Sequence, residues 1–271
     1  MRVKEAIRRI MQFDIIASKV EDSDFNLLKT YPEFVFLRKL LKNELSEFVD
    51  KNREHVLSIL DVGTGPGSIL LTTRDVTGPQ CHLVGMDISL KMLKVARRKI
   101  GKAASLVQAP AENMPFRDEV FDLVFSRNAL HHLCNIDMGL AEIKRVLRHN
   151  GAFICIESVG PNNDALTYWI PILRYKDRTR TTYFTEISLI KLIESSGFNV
   201  ELKEVLTHKI SLKEWLDRSS LTTEARKNVL NMILELPNDA KKAYGIEIKE
   251  IKEKSIIFTR YVCILLARKV L

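Results

Sequence analysis

The chain is poor in the residues that would tie it to metal or disulfide chemistry. Only four cysteines occur in 271 residues, Cys81, Cys134, Cys155 and Cys263. They show no zinc-site spacing and no disulfide framework, so no metal site is expected. Cys81, Cys155 and Cys263 sit in apolar, strand-like runs and read as inert core thiols. A reducing cytoplasm suits such a chain. Long apolar runs are missing too. Charges interrupt every hydrophobic stretch before the ~18 residues that a membrane-spanning helix needs, which leaves only peripheral contact with a lipid surface. The start, Met1-Arg2-Val3-Lys4-Glu5, has no apolar core of a signal peptide behind it. Tandem repeats are absent, which excludes a solenoid. Glycine is scarce at 11 residues, so three glycines at alternate positions stand out.

Those three lie in Leu60-Asp61-Val62-Gly63-Thr64-Gly65-Pro66-Gly67. The apolar run Val56-Leu57-Ser58-Ile59-Leu60 leads into them and reads as a strand, with a helix from Ser68 onward. Glycine suits the loop between because it turns sharply and lets a ligand approach the backbone. The free N–H groups at the start of the next helix favour an anionic group. This is the place of a nucleotide-type ligand at the carboxyl end of the first strand in an open α/β sheet. A dinucleotide fingerprint requires G-x-G-x-x-G. The third glycine, Gly67, comes one position early and position 68 is serine. The offset weighs against the competing class, a nicotinamide-dependent oxidoreductase.

Further segments follow in order. Residues 81–86 read as a second buried strand ending in Asp87, placed to accept hydrogen bonds from ribose hydroxyls. Ser89 then caps a helix whose apolar positions are Met92, Leu93, Val95 and Ala96. Residues 106–108 read as a third strand leading into a loop to Phe116, and residues 121–126 as a fourth. A helical pattern over 138–147 places Leu140, Ile143, Val146 and Leu147 on one face, with Gly151 as its C′ stop. Residues 152–156 form a fifth strand. The alternation over 56–158 predicts a doubly wound parallel sheet.

As a set, these segments resemble class I S-adenosylmethionine-dependent methyltransferases. Within that class they resemble the type 11 family, which includes the ubiquinone/menaquinone C-methyltransferases. Asp61, Gly63, Gly65 and Gly67 match its acidic-x-G-x-G-x-G motif, and Ala109 to Phe116 its "G-D-A-E-x-L-P-F" loop. Phe121-Asp122-Leu123-Val124 matches "F-D-x-V", and Phe13-Asp14-Ile15-Ile16-Ala17 matches the "F-D-x-x-A" lead-in. The resemblance implies a Rossmann-like, doubly wound, mostly parallel seven-stranded α/β sheet with helical additions. It also implies S-adenosyl-L-methionine as cofactor. Asp61 then attracts the ammonium of the methionine end, while the loop N–H groups around Gly63, Thr64, Gly65 and Gly67 receive its carboxylate. Asp87 and Ile88 go to the ribose, Ala111 and Glu112 to the adenine, and Ser126 joins the same set. One departure stands out. Pro110 occupies the family's aspartate position and offers neither acceptor side chain nor N–H. Adenine contact is left to Glu112 and main chain.

Methyl transfer depends on alignment more than on acid–base groups, so no catalytic dyad is required. His132, after strand four, is a candidate base for a phenol or enol, or else a structural histidine. Asn128 is a substrate-orienting residue or a turn former. Trp169 and Tyr183 are candidate walls for an aromatic substrate, or core. No Asn-Pro-Pro-Tyr run follows strand four, against amino-group methylation of adenine or glutamine, and no Pro-Cys pair marks a cytosine C5 nucleophile. The expected organisation is a helical cap over 1–55, a cofactor core over 56–158, and 159–271 completing the sheet. Insertions at 160–184 and 211–250 form the substrate walls. The net charge is +8, and residues 159–271 carry five of the eight. Arg174, Lys176, Arg178 and Arg180, offset only by Asp177, read as a solvated face or as a site for phosphate, carboxylate, anionic lipid or nucleic acid. The expectation is a methyltransferase acting on a small molecule, with a quinol-type aromatic carbon suggested by resemblance. A tRNA or other RNA acceptor and a non-catalytic S-adenosylmethionine-binding protein are the alternatives.

Overall fold

The computed structural model describes residues 10–17, 31–51, 56–79 and 81–270, with side chains throughout except at 44–51. Residues 1–9, 18–30 and 52–55 of the segment expected to form a helical cap lie outside them. The first five strands are β1 (Leu57–Val62), β2 (Cys81–Asp87), β3 (Ser105–Gln108), β4 (Phe121–Arg127) and β5 (Leu147–Gly160). They are followed by β6 (Phe184–Thr185), β7 (Phe198–Ser211), β8 (Glu247–Ile248) and β9 (Ile256–Lys269). The sheet runs β3-β2-β1-β4-β5-β9-β7. The first five strands pair in parallel, and β9 lies antiparallel to both β5 and β7. This is the expected seven-stranded path. The two-residue strands β6 and β8 pair with β5 and β9 and bring the number among the described residues to nine. Strands that short have no periodicity to read.

Alternation along the strands feeds two cores. Ile59, Leu123, Ile154 and Ile264 face Phe34, Leu37 and Leu41 of helix Pro32–Lys51 and Ile69 and Leu70 of helix Ser68–Thr77. Leu60, Val124, Phe153 and Leu265 face Leu140 and Ile143 of helix Ile136–Val146 and Leu189 and Ile193 of helix Glu186–Ser195. A parallel sheet needs both faces covered, and each buried aliphatic or aromatic side chain contributes roughly 1.5–3 kcal/mol. Gly151 does not end the helix before it. That helix stops at Val146, and Leu147 is already extended at φ −71, ψ 134. Asn150 takes the left-handed turn at φ 60. Gly151 is required for space, because a Cβ there would lie 2.9 Å from the Arg148 carbonyl oxygen.

From β1 the chain winds to β2 and β3 on one side and later to β4 and β5 on the other, so a crevice opens between the carboxyl ends of β1 and β4. Beyond it lies a third core. Helix Asn163–Lys176 and helices Leu212–Asp217, Thr223–Leu234 and Asn238–Ala243 enclose Trp169, Trp215, Tyr244 and Phe258. β7 and β9, 14 residues each against six in β1, carry this core past the edge of the parallel strands. Arg127 at the end of β4 is level with Ile156 of β5 and so with Ile264 of β9, while Phe258 and Ile210 pair farther out.

Candidate active site

A cavity of about 320 Å³ occupies the crevice. Its floor is the glycine loop, and its sides come from the segments that follow β2, β3 and β4. Asp61, Gly63, Thr64, Gly65, Asp87, Ile88, Ala111 and Glu112, which the sequence assigns to the cofactor, all line it, and so do Asn128 and His132, which it assigns to the substrate. Gly65 has φ 51 and no atom within 4 Å of where a Cβ would stand, so its backbone faces open space. Gly67 is outside the lining. Its φ is 83 and a Cβ would stand 3.3 Å from the Ala96 methyl, so this glycine lets two helices approach. Phe13 and Ile16 of the helical residues 10–17 close one side. Phe13 meets His132 edge-on at 5.0 Å, and Asp14 accepts from Ser89 Oγ at 2.6 Å. Ser89 also caps its helix by accepting from Met92 N–H, as expected.

The loop N–H groups are already committed. Gly63 and Thr64 donate to the Met86 carbonyl, Gly65 to Asp87 Oδ2 at 2.8 Å, and Gly67 to the Thr64 carbonyl. Pro66 has none. The N–H groups that the sequence assigns to a carboxylate thus already have partners within the chain. Anion-binding capacity sits one step later, in the first-turn N–H groups of Ser68 and Ile69, which line the cavity. Arg127 adds a cation that the sequence reading missed. It lines the cavity, reaches Glu33 at 3.4 Å and stacks over Phe34 at 4.6 Å. Ser126 is fully buried and outside the lining. Alternation along β4 turns it to the sheet face opposite Arg127. Glu112 spends one oxygen on Cys134 N–H at 2.7 Å and Asn135 N–H at 3.3 Å, so it fastens the loop after β4 across the cavity.

Asp61 is the most informative group. It is 1% exposed and takes one hydrogen bond, from Thr64 Oγ1 at 2.6 Å to Oδ2. Oδ1 is buried with no partner. Burial pushes its carboxyl up to about 7, against the Thr64 hydrogen bond and with help from the nearby Asp87. A buried oxygen on a cavity wall with nothing to accept from is suited to a donor cation. Asp87 is differently placed. Its two oxygens accept from Gly65 and Ser89 N–H, tying the glycine loop to the end of β2.

A second cavity of about 870 Å³ joins the first through a shared wall that includes Asn128, His132 and Asp177. Trp169 lines it, yet it also stacks on Tyr244 at 4.4 Å inside the third core. Tyr183 lies outside both linings, with the guanidinium groups of Arg174 and Arg180 at 5.7 and 5.6 Å from its ring centre. Asn128 has φ 50 and accepts from Ser158 Oγ at 3.1 Å, so it is both the turn and part of the wall. His132 Nδ1 is 2.9 Å from Thr179 Oγ1, and Nε2 is 3.8 Å from Asp177. Burial and the adjacent His131 hold His132 down at about 3, so it is neutral at pH 7 and a poor base. The sequence reading passed over a tighter pair. His131 Nδ1 lies 2.5 Å from Glu157 Oε2, whose other oxygen accepts from Leu130 N–H. Burial raises Glu157 to about 7 and lowers His131 well below 6.5.

A methyltransferase domain model matches residues 60–155. These residues form a methyltransferase domain of the S-adenosylmethionine-dependent class. The chain is 26% identical to a demethylmenaquinone methyltransferase of Thermotoga maritima over 211 residues, covering 70% of this chain and 88% of that one. It is 35% identical to a malonyl-[acyl-carrier protein] O-methyltransferase of Legionella pneumophila, covering 43% of this chain and 42% of that one. The chain thus spans less than half the length of the Legionella relative. Among solved structures, a putative methyltransferase from Bacillus halodurans superposes with a TM-score of 0.72 at 25% identity, covering 84% of this chain and all of that one. Residues 60–155 therefore carry the S-adenosylmethionine-dependent methyltransferase function with that cofactor, and the sheet is of the Rossmann-like type. No helix among the described residues is long and apolar enough to cross a membrane. The residues present fit the cofactor. The unpartnered Asp61 oxygen suits its ammonium, and the open face of Gly65 leaves room for its body.

Proposed function

We propose that the methyltransferase acts on a small-molecule acceptor held in the second cavity, next to a cofactor held in the first. The observation that carries this reading is the pairing of the two cavities across one wall, with the unpartnered carboxylate oxygen of Asp61 in the smaller. Asp61 receives the ammonium of the methionine end. Arg127 and the first turn at Ser68 face its carboxylate, Asp87 and Ile88 the ribose, and Ala111 with the adjoining main chain the adenine. The chain divides accordingly into an N-terminal cover over 1–55, a cofactor core over 56–158, and an acceptor cap built on 159–271.

When bound, S-adenosylmethionine supplies an electrophilic methyl group and a neutral thioether leaving group. The protein's part is to hold the acceptor atom in line and to keep water out. Phe13, Ile16 and the loop fastened by Glu112 exclude solvent on the cofactor side. An acceptor that carries a proton must lose it, and His131 in the cavity wall can pass it to the buried Glu157 behind it, whose carboxyl is raised to about 7. Neutral His132, held between Thr179 and Asp177, positions the adjoining wall. A phenol- or enol-type carbon acceptor, of which a quinol is one kind, is compatible with this arrangement. The two relatives differ in acceptor, one named for a quinone precursor and the other for a carrier-bound malonyl group, so similarity alone does not choose between them.

The test is transfer of labelled methyl from S-adenosylmethionine to a panel of quinols, small carboxylic and phosphorylated acceptors, and tRNA. Label in a small-molecule fraction, reduced in Glu157→Gln with unchanged S-adenosylhomocysteine affinity, is the expected result. Label appearing only in tRNA would contradict it.

A further inference from the structure

The wall of the second cavity is unevenly charged. Five cations line it, Arg127, Lys176, Arg180, Arg218 and Arg260, against the acids Asp177, Glu214 and Asp217. The acids are already engaged. Asp217 pairs with Lys213 at 2.7 Å and Arg226 at 2.9 Å. Glu214 pairs with Arg218 at 2.9 Å and accepts from Tyr31 Oη at 2.5 Å. Asp177 accepts from Thr179 N–H at 2.9 Å and Oγ1 at 2.6 Å. Arg127 and Arg260 share a single oxygen of Glu33, each at 3.4 Å. Lys176 and Arg180 have no ion pair among the described residues, although Asp177 and Glu157 attract them at longer range.

What Lys176 and Arg180 do have is aromatic surface. Lys176 Nζ stands 4.6 Å from the centre of the Trp215 ring, and the Arg180 guanidinium 5.6 Å from that of Tyr183. A ring face attracts the charge but accepts few of its N–H donors. Withdrawing such cations from water is costly unless an anion compensates. Burial first, and then repulsion from Arg180, Arg260 and Arg218, brings Lys176 down to about 8. Arg260 falls to about 10 from burial and from the neighbouring Arg127 and Arg218. The basic run in the sequence is thus split by the fold. Arg174 and Arg178 are exposed, while Lys176 and Arg180 are turned inward. The same cavity is also lined by the apolar side chains of Trp169, Trp215, Leu166 and Phe258.

We propose that the methyl acceptor is an organic anion whose carboxylate or phosphate is bound by Lys176, Arg180 and Arg260, with its apolar body against Trp169, Trp215 and Phe258. The proposal rests on the methyltransferase reading of the first cavity and deepens it by naming the substrate class. The three cations play separate parts. Arg180 presents a planar fork suited to two oxygens at once, and Lys176 a compact charge. Arg260, anchored by Glu33 and by donation to Ser158 Oγ at 3.0 Å, is the fixed member. A neutral acceptor would leave Lys176 and Arg180 desolvated without gain.

The test titrates full-length protein, saturated with S-adenosylhomocysteine, against benzoate, phenyl phosphate and the uncharged benzamide. At least one of the two anions should bind tenfold or more tightly than benzamide, and the stronger of the two identifies the headgroup. Lys176→Met and Arg180→Gln should each reduce that preference at least tenfold, whereas Arg178→Gln, on the exposed side, should not. The wild-type comparison alone keeps the proposal exposed to refutation if a variant fails to fold. Equal binding of benzamide and both anions, or no anion binding at millimolar concentration, would overturn it. So would an anion preference that survives both inward changes. Failure of S-adenosylhomocysteine to bind in the first place would instead overturn the reading on which the proposal rests.

Discussion

Asp61 concentrates the chemistry of the smaller cavity in one carboxyl group. Its ordinary value is 3.8, and burial raises it to about 7 in the folded protein. For a group raised in this way the stabilising form is the protonated one. Its contribution to stability is complete below 3.8 and is lost as pH rises through about 7. An ammonium placed against Oδ1 reverses the preference, because an adjacent opposite charge favours the ionised carboxylate. Binding of S-adenosylhomocysteine a little below pH 7 should therefore release a proton. Affinity should climb as pH rises toward about 7 and level off above it. Calorimetry in buffers of different ionisation enthalpy measures that proton directly. Asp61→Asn should abolish the release. Undiminished release in the variant would mean that the ammonium sits elsewhere.

At the level of elements, the glycine loop makes two different demands that a single substitution type can separate. Gly63 has φ 70, and a Cβ there would overlap the Ala129 methyl. Gly65 has φ 51, but open space surrounds the same position. Gly63→Ala should cost about 1–2 kcal/mol for the left-handed backbone and about 1–3 kcal/mol more for overpacking. Gly65→Ala should cost about 1–2 kcal/mol for the backbone alone, yet weaken S-adenosylhomocysteine tenfold or more because its methyl enters the cavity. Urea unfolding and calorimetry on the two proteins check this, and equal stability losses or an unaltered affinity in Gly65→Ala would contradict it. The loop was legible in the sequence because strand, glycines and helix are adjacent, and the same holds for Asp87 and the Ser89 cap. The bonds that consume the loop N–H groups were not legible, since they come from Met86 and Asp87 across a parallel pairing. Nor was the exclusion of Ser126. A strongly apolar strand buried on both faces gives no alternation to show which side a lone serine takes.

The whole molecule is two cavities built by one topology. The sheet's change of winding direction opens the first, and the over-long β7 and β9 with their inserted helices enclose the second. Arg127, Asn128, His132, Asp177 and Arg218 belong to both walls, although they come from segments far apart in the chain. That convergence explains why Arg127, Asp177 and Arg218 escaped a reading by local motif. It also explains why the basic run at 174–180 kept two meanings until the fold turned alternate members inward. Cofactor identity is the claim on which all of this depends. The most direct measurement is paired calorimetric titration of the unmodified protein with S-adenosylhomocysteine and with NADH. One molecule of S-adenosylhomocysteine bound per chain and no NADH is the predicted result. NADH binding without S-adenosylhomocysteine would contradict the account.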